Sequence, residues 1–280
     1  MEFSYFEPAP ALRQFVSSYY FVAFAYEISD IMRAEIANAR FILDGAVTTE
    51  LSGEAVTFNA GAAPLCGPTY RASKIRFEAG ARIFGAAITP LGWRRLFSMS
   101  AQDAADKHMP LTDAIPASRR GGVDAIFNAP DQAGVIAAAD ALFLSLVDND
   151  RSVHEEFIHQ ATDWIVDPEP NEIHHLLDHV DISHRQVERL CKSYFGSGPK
   201  KLHRKFRALH AANRLTWQSL DDWRDVARAA YYDQAHFIRE FKLFNGRTPK
   251  EFMNGPHILV RTTLEERLKI NHASPFSLVG

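Results

Sequence analysis

Two clusters of mainly polar side chains lie 50 residues apart in this chain of 280 residues. The first follows Ser183 and contains His184, Arg185, Gln186, Glu188 and Arg189. The second follows Asp233 and contains Gln234, Ala235, His236 and Arg239. In the major groove of DNA, arginine matches the acceptors of guanine, glutamine matches adenine, and glutamate accepts a hydrogen bond from cytosine. The chemistry that these side chains offer is therefore recognition of bases.

The two clusters belong to a repeat with a period of 50 residues. Ser183 and Asp233 are both good helix N-caps, and Gln186 completes a capping box with Ser183. The matching pairs further along are Val187 and Phe237, Arg189 and Arg239, Lys192 and Lys242, Gly196 and Gly246, and Pro199 and Pro249. The pattern of each unit predicts a short helix, a tight turn and a capped second helix, followed by a glycine that ends this helix and a proline that begins the next one. This is the helix-turn-helix arrangement. A helix over 199–218 would join the units. A plain helical bundle is the alternative. The glycine and proline residues that recur at the same positions of both units disfavour it.

The charge of the chain is divided between its two halves. The formal net charge of −3 argues by itself against a nucleic-acid partner. Residues 1–170, however, hold 13 basic and 22 acidic side chains, whereas residues 171–255 hold 15 basic and 10 acidic ones. A local basic excess is the electrostatic footprint of a protein that binds a polyanion. The alternative interpretation is a solvated helical face.

Catalytic and metal chemistry lack the residues that they need. Residues 1–153 contain one histidine, His108, so the ligand cluster of a metal-dependent barrel enzyme cannot be built there. His175 and His179 are spaced i, i+4, but a metal site needs more ligands, and a surface pair is the better interpretation. Cys66 and Cys191 form no metal-binding or disulfide pattern. We expect no catalytic residue, no metal and no cofactor, and we expect the chain not to be an enzyme.

The sequence predicts a two-domain protein with a boundary near residue 150. Residues 1–150 read as an α+β, strand-rich, barrel-like domain, with strands within 15–24, 41–51, 75–80 and 83–90. Residues 151–255 read as an all-α domain, and residues 256–280 as a tail with a short helix at 263–270. The N-terminus shows no secretory signal, and the apolar stretch at 125–147 is too short and too interrupted for a membrane span. A cytoplasmic location without membrane contact is therefore expected.

The stretch at 225–252 resembles the signature of AraC/XylS-type transcriptional regulators. The positions that carry the resemblance are Ala227, Tyr232, Asp233, Gln234, His236, Phe237, Arg239, Phe241, Lys242, Gly246, Thr248 and Pro249. The segment at 181–207 resembles the less regular first half of the same domain. The N-terminal half resembles the cupin-like sensor or dimerisation regions of that family more loosely, through the runs at 10–22, 43–45 and 89–97. The resemblance implies a transcription factor with two helix-turn-helix units joined by a linker helix. Tyr231 departs from the family pattern, because a glycine is usual there.

The resemblance also implies roles for individual side chains. By analogy with the family, the base-facing positions are Arg185, Glu188, Arg189, Gln234, Ala235, His236 and Arg239, with His184 and Gln186 beside them on the same exposed turn. The residues expected to contact phosphates are Ser183, Lys192, Lys200, Lys201, Lys242, Arg247 and Lys250. A solvated charge is the alternative for each lysine, and a salt bridge is the alternative for Arg189 and Arg239.

Two interpretations of the N-terminal half stay open. As a small-molecule sensor, it would offer Arg71, Arg76 and Arg82 as anchors for an anionic effector, unless these are ordinary surface charges. As a dimerisation or partner-binding module, it would have a filled core and no ligand. Double-stranded DNA is the expected partner, and an effector, RNA polymerase and a second copy of the chain are further candidates.

Overall fold

The computed structural model describes residues 1–167, 173–217, 222–230 and 233–267. Its N-terminal half contains ten strands: β1 (Glu2–Phe6), β2 (Val16–Ala23), β3 (Ile28–Met32), β4 (Ala37–Asp44), β5 (Ala46–Leu51), β6 (Glu54–Asn59), β7 (Pro64–Cys66), β8 (Ser73–Phe77), β9 (Arg82–Ile88) and β10 (His108–Pro110). They form a six-stranded sheet in the order β1-β2-β9-β4-β7-β10 and a four-stranded sheet in the order β3-β8-β5-β6. All pairings are antiparallel. This half is the strand-rich, barrel-like domain that the sequence predicts.

The two faces of the six-stranded sheet have different neighbours. Successive side chains of a strand point to opposite faces, so on β2 the buried Tyr19 faces outward and Tyr20 faces the barrel interior. The Tyr19 hydroxyl donates to Asp140 Oδ1 at 2.9 Å, and its ring stacks on Phe143. Five helices follow β9 and lie on this outer side: α1 (Pro90–Leu96), α2 (Ala101–Ala104), α3 (Leu111–Ala114), α4 (Gly121–Phe127) and α5 (Gln132–Leu146). The interior face is left to line a cavity.

The second half of the described chain is helical. Its elements are α6 (Glu155–Val166), α7 (Ile173–His179), α8 (His184–Phe195), α9 (Pro199–Trp217), α10 (Trp223–Ala230), α11 (Gln234–Asn245), α12 (Pro249–Asn254) and α13 (Ile258–Arg267). The pairs α7–α8 and α10–α11 are the two helix-turn-helix units, and α9 is the linker helix between them. Ser183 caps α8 in a capping box with Gln186, and Asp233 accepts hydrogen bonds from the backbone of Ala235 and His236. These helices confirm the repeat. Tyr231 and Tyr232 lie outside the described residues.

The apolar stripes of the two units enter different cores. In α8 the stripe of Val187, Leu190 and Cys191 joins a core that continues into the outer face of the six-stranded sheet. In α11 Phe237 and Phe241 belong to a separate core. That second core also contains Ala211, Ala212, Val226, Phe252, Val260 and Leu264. The first unit therefore shares its core with the N-terminal half, whereas the second unit largely has its own.

Both units dock on the N-terminal half through the C-terminal ends of α8 and α11. Gly196 and Gly246 end these helices with φ angles of 90° and 77°. A Cβ at Gly196 would lie 2.7 Å from Pro68 Cγ, and one at Gly246 would lie 2.2 Å from Ile31 Cγ2. Next to these glycines, the Tyr70 hydroxyl donates to the Phe195 carbonyl, and backbone amides of the N-terminal half donate to the carbonyls of Leu243 and Phe244. Docking at these ends leaves the N-terminal turns of both helices away from the contact.

A buried lysine lies at this contact. Lys205 of α9 is 1% exposed, and its Nζ donates to the Glu35 carbonyl at 2.6 Å. The same Nζ lies 4.9 Å from the centroid of the Tyr70 ring. Burial lowers the pKa of Lys205 to about 7. The unfolded chain, in which the pKa is about 10.4, therefore binds more protons than the folded chain between these two values.

This difference predicts a pH dependence of stability. Stability rises with pH wherever the unfolded state binds more protons, so Lys205 should add up to about 1.4 kcal/mol per pH unit as pH rises above 7. We expect the gap in unfolding free energy between Lys205→Met and the wild type to change with that slope between pH 7.5 and 9. Denaturant titrations across this range measure it, and parallel profiles for the two proteins would contradict the prediction.

Candidate nucleic-acid interface and barrel cavity

The first turns of α8 present most of the predicted reading residues to solvent. His184, Arg185 and Arg189 are exposed. Gln186 is also exposed, but its Oε1 accepts hydrogen bonds from the backbone and hydroxyl of Ser183, so the amide group is the part left to bind a partner. Glu188 is half-buried and lies 3.6 Å from Lys192, one turn further on. The structure thus places this cluster on one exposed end of α8.

The corresponding turn of α11 is also accessible. Gln234 and Ala235 are exposed. The Arg239 side chain is 70% exposed and lies 3.9 Å from Asp233 Oδ2, a distance that leaves it free to turn outward. His236 differs from the others, because its Nε2 is 2.8 Å from Glu240 Oε1. One ring nitrogen of His236 is therefore committed within the helix.

Glu240 is a site residue that the sequence analysis did not single out. Its side chain is 1% exposed and binds Arg204, and Arg207 at 2.8 Å, both from α9. Burial raises the pKa of Glu240, but the hydrogen bonds and charges of Arg207 and Arg204 outweigh it and hold the pKa below the ordinary value. A signal was available, because Phe237, Glu240 and Phe241 share the buried helical stripe, and a buried carboxylate needs a cationic partner.

The predicted phosphate contacts fall into two groups. Lys192, Lys200, Lys242 and Lys250 are exposed. The other three already have partners within the protein. The Ser183 hydroxyl caps α8, and Lys201 Nζ lies 4.7 Å from the centroid of the Tyr70 ring. Arg247 binds Asp30 of β3, and only 16% of its side chain is exposed. Arg247 therefore faces the N-terminal half in this arrangement, and a phosphate contact would require that ion pair to open.

A cavity of about 80 Å³ lies inside the barrel, between the two sheets and α13. The expectation that Arg71, Arg76 and Arg82 line such a site is not met. All three are exposed on the outside, where Arg76 pairs with Glu27 and Arg82 with Asp44. The strand positions of Arg76 and Arg82 direct these two outward, since β8 and β9 turn the neighbouring Ile75 and Ile83 toward the interior, whereas Arg71 precedes β8. The arginines that do line the cavity are Arg33, Arg40 and Arg267.

The three cavity arginines differ in how well they are paired. Arg40 binds Glu35 Oε2 at 2.6 Å and donates to the Tyr20 hydroxyl at 2.9 Å. Arg33 Nη1 donates to Asn213 of α9 at 2.7 Å, and Arg267 Nε donates to the Tyr5 hydroxyl at 2.7 Å. Within the part of the chain that the structure describes, Arg33 Nη2 and Arg267 Nη1 have no hydrogen-bond partner. Burial and the charge of Arg267 lower the pKa of Arg33 to about 9.

The candidate side chains for metal or thiol chemistry include His108, Cys66 and Cys191. His108 lines the cavity, and burial lowers its pKa to about 4. Cys66 and Cys191 are free and buried, and burial raises the pKa of both thiols. Among residues 1–167, 173–217, 222–230 and 233–267, no three His, Cys, Asp or Glu side chains are grouped so that they could hold a metal ion. None of the described helices has the length and apolar character needed to cross a membrane.

Comparison with known proteins gives two matches to domain families. A helix-turn-helix domain family matches residues 176–255, which include both units. A domain family of unknown function, DUF6597, matches residues 4–110, which cover the barrel. No curated protein matches the chain.

The comparison with solved structures returned chains from several bacteria. ToxT from Vibrio cholerae, in its P21 crystal form, is 10% identical with a TM-score of 0.49, over 83% of this chain and 97% of that one. ToxT from Vibrio cholerae O395 bound to (E)-4-(8-methylnaphthalen-1-yl)but-3-enoic acid is 10% identical with a TM-score of 0.46, over 83% and 98%. A cupin-2 domain containing protein from Shewanella frigidimarina is 14% identical with a TM-score of 0.22, over 25% and 69%.

Proposed function

We propose that the chain is a DNA-binding transcription regulator of the AraC type, on the ground of the helix-turn-helix domain match at residues 176–255. In this proposal α8 and α11 read successive major-groove segments of one operator. The observation that carries the proposal is the matched presentation of the two helices. Each buries its C-terminal end against the N-terminal half and exposes a polar first turn. Helices of this kind enter the major groove with their N-terminal residues on the base edges.

The proposed base contacts follow from exposure and hydrogen-bonding capacity. Arg185, Arg189 and Arg239 are exposed and can donate two hydrogen bonds to guanine. The other proposed base contacts are His184, Gln186, Glu188, Gln234, Ala235 and His236. The proposed phosphate contacts are Ser183, Lys192, Lys200, Lys201, Lys242, Arg247 and Lys250. Phosphate contacts would position the helices without specifying sequence, and Arg247 would join them only after leaving Asp30.

The operator preference can be measured by selecting bound sequences from a random DNA pool with the purified chain. We expect Arg185→Ala and Arg239→Ala to lose about 1–3 kcal/mol of discrimination between cognate and altered operators, because each would remove a bidentate base contact. The fold should be unaffected, since both side chains are exposed.

The matched control is Arg76→Ala, an exposed arginine on the outer surface of the barrel. It should bind the selected operator as the wild type does at the same salt concentration. If Arg185→Ala and Arg239→Ala also bind it as the wild type does, these two assignments are wrong. A selection that enriches no sequence at any salt concentration would remove the proposed function itself.

The proposed division of labour assigns effector sensing or dimerisation to residues 1–150, DNA binding to residues 151–255 and a C-terminal tail to residues 256–280, in which α13 packs on the barrel. A preformed cavity with mainly apolar walls supports the sensor, whereas a module used only for dimerisation would have a filled core. A second copy of the chain and RNA polymerase are the further proposed partners. We propose no enzymatic role.

A further inference from the structure

We propose that the barrel cavity binds a compact carboxylate whose charge is held between Arg33 and Arg267, beneath the tail helix α13. The proposal deepens the effector-sensing role proposed above and rests on it for its regulatory meaning. It assigns a chemical class to the effector and makes the segment after the helix-turn-helix domain part of the binding site.

The charges inside the barrel point to an anion. Arg33 is 5% exposed, and both Arg33 and Arg267 keep one terminal nitrogen without a partner among the described residues. A guanidinium nitrogen that is buried without an acceptor is costly. Among the residues that the structure describes, Glu35 is the one carboxylate that lines the cavity, and it is bound to Arg40. Two positive charges in the cavity are therefore left for a ligand to balance.

The geometry favours a carboxylate with an apolar body over a bare inorganic anion. Planar guanidinium groups bind carboxylates through paired, charge-assisted hydrogen bonds. Most of the surrounding wall is apolar and includes Phe24, Ile42, Phe77 and Ile83. These side chains would contact hydrocarbon, which sulfate or phosphate does not have. The ligand should therefore carry its charge at one end and an apolar group at the other.

The size of the cavity limits the ligand to a short one. A volume of about 80 Å³ is a little over half of an engineered cavity of about 150 Å³ that binds benzene. A small branched acid of a few carbon atoms is nearest to this scale, with its carboxylate between the arginines, whereas a ring acid is larger than benzene and would need the walls to move outward. A long alkyl chain does not fit without displacing wall residues.

Helix α13 supplies one side of the site. It lies against β1 and β3, at the edges of the two sheets, and Leu259, Val260, Thr263 and Arg267 face the cavity. The backbone nitrogen of Leu259 donates to Asp30 Oδ2 at 3.1 Å, which holds the start of the helix on β3. One anchor of the ligand would thus come from the segment that follows the second unit. The other, Arg33, is already bonded to the linker helix through Asn213.

The experiment uses the full chain with propionate and isobutyrate as probes and propionamide and isobutyramide as uncharged matches. Isothermal titration and thermal unfolding are measured without DNA. We expect at least one carboxylate to bind and to raise the melting temperature with its concentration, and both amides to bind on the order of tenfold more weakly or not at all. Arg33→Gln and Arg267→Gln should each weaken carboxylate binding by on the order of tenfold to a hundredfold, since each removes a hydrogen bond to a charged group.

Arg76→Gln and Arg82→Gln are the matched controls, because both arginines lie outside the barrel. They should bind as the wild type does. Arg33→Lys keeps a cation at the site and should retain more binding than Arg33→Gln. If Arg33→Gln fails to fold, Arg33→Lys and Arg267→Gln still test the two anchors.

Three results would overturn the proposal: no binding of either carboxylate, equal binding of the amides, or wild-type binding by Arg267→Gln. Failure of the proposed function is measured by a separate experiment, the selection from a random DNA pool, in which no sequence would be enriched. Carboxylate binding together with a failed selection would leave the ligand site in place and remove its regulatory meaning.

Discussion

Replacing Glu240 with alanine is expected to destabilise the second helix-turn-helix unit by about 3 kcal/mol and to abolish its DNA binding. Removing one member of a buried ion pair costs about 3–5 kcal/mol, because the partner charge stays buried and uncompensated. The lower end of that range applies here, since the Arg204 and Arg207 side chains keep 38% and 19% of their exposure. Glu240 lies on α11 and both arginines lie on α9, so the variant also loosens the reading helix from its support.

Urea titration of the full chain measures the change in unfolding free energy, and operator binding measures the functional loss. Because the folded pKa of Glu240 is lowered, its stabilising contribution is present above the ordinary value of 4.5 and is lost as pH falls below it. The difference in unfolding free energy between Glu240→Ala and the wild type should therefore become smaller as pH falls below 4.5. Arg239→Ala, the adjacent exposed position, is the control for stability and should change it by less than about 0.5 kcal/mol. A Glu240→Ala protein as stable as the wild type at neutral pH would show that the ion pairs contribute nothing.

Replacing Gly246 with valine is the second large effect that we expect, also about 3 kcal/mol. A left-handed backbone costs a residue with a Cβ about 1–2 kcal/mol, and overpacking a tight contact costs about 1–3 kcal/mol more. Gly246 meets both conditions, because its φ is 77° and its Cβ would lie 2.2 Å from Ile31 Cγ2. The added side chain therefore acts against both the end of α11 and its docking on the barrel.

Gly53→Val separates the two contributions. Gly53 has a φ of 85°, but a Cβ there would meet no atom within 4 Å, so only the conformational cost applies. We expect the melting temperature of Gly246→Val to fall clearly further than that of Gly53→Val. Equal losses at the two positions would mean that the contact between α11 and β3 adds no stability.

The repeat could be predicted from the sequence because its signals are local. N-caps, glycine stops and proline restarts are set within a few residues of each helix end, and the observed α8 and α11 begin where Ser183 and Asp233 require. The strand at 41–51 was placed less well, because it is two strands, β4 and β5, that meet at Gly45. Strands β1, β3, β6, β7 and β10 have three to six residues each, so an alternating pattern extends over too few positions to identify them individually.

The cavity could not be predicted because it depends on which face of each strand closes inward. On β4, Asn38 and Arg40 alternate with Ala39 and Phe41, a pattern that usually places the polar side chains in water. Here both faces are covered, one by helices and the other by the opposite sheet, so Arg40 lies inside. The approach of Arg267 to this interior depends on the path of the chain after the second unit. No local signal in the sequence encodes that path.

The linker helix α9 contributes residues to both hydrophobic cores. Leu202, Phe206 and Leu209 on α9 belong to the core shared with the barrel, whereas Ala211 and Ala212, within the next turn, belong to the core of the second unit. Cooperative unfolding units follow contiguous cores. The boundary between the two expected units therefore crosses the middle of the continuous helix α9. Because α9 is continuous across this boundary, opening of either core removes packing from one end of a helix that also supports the other core. The orientation of α11 relative to α8 is therefore coupled to the core that α8 shares with the barrel.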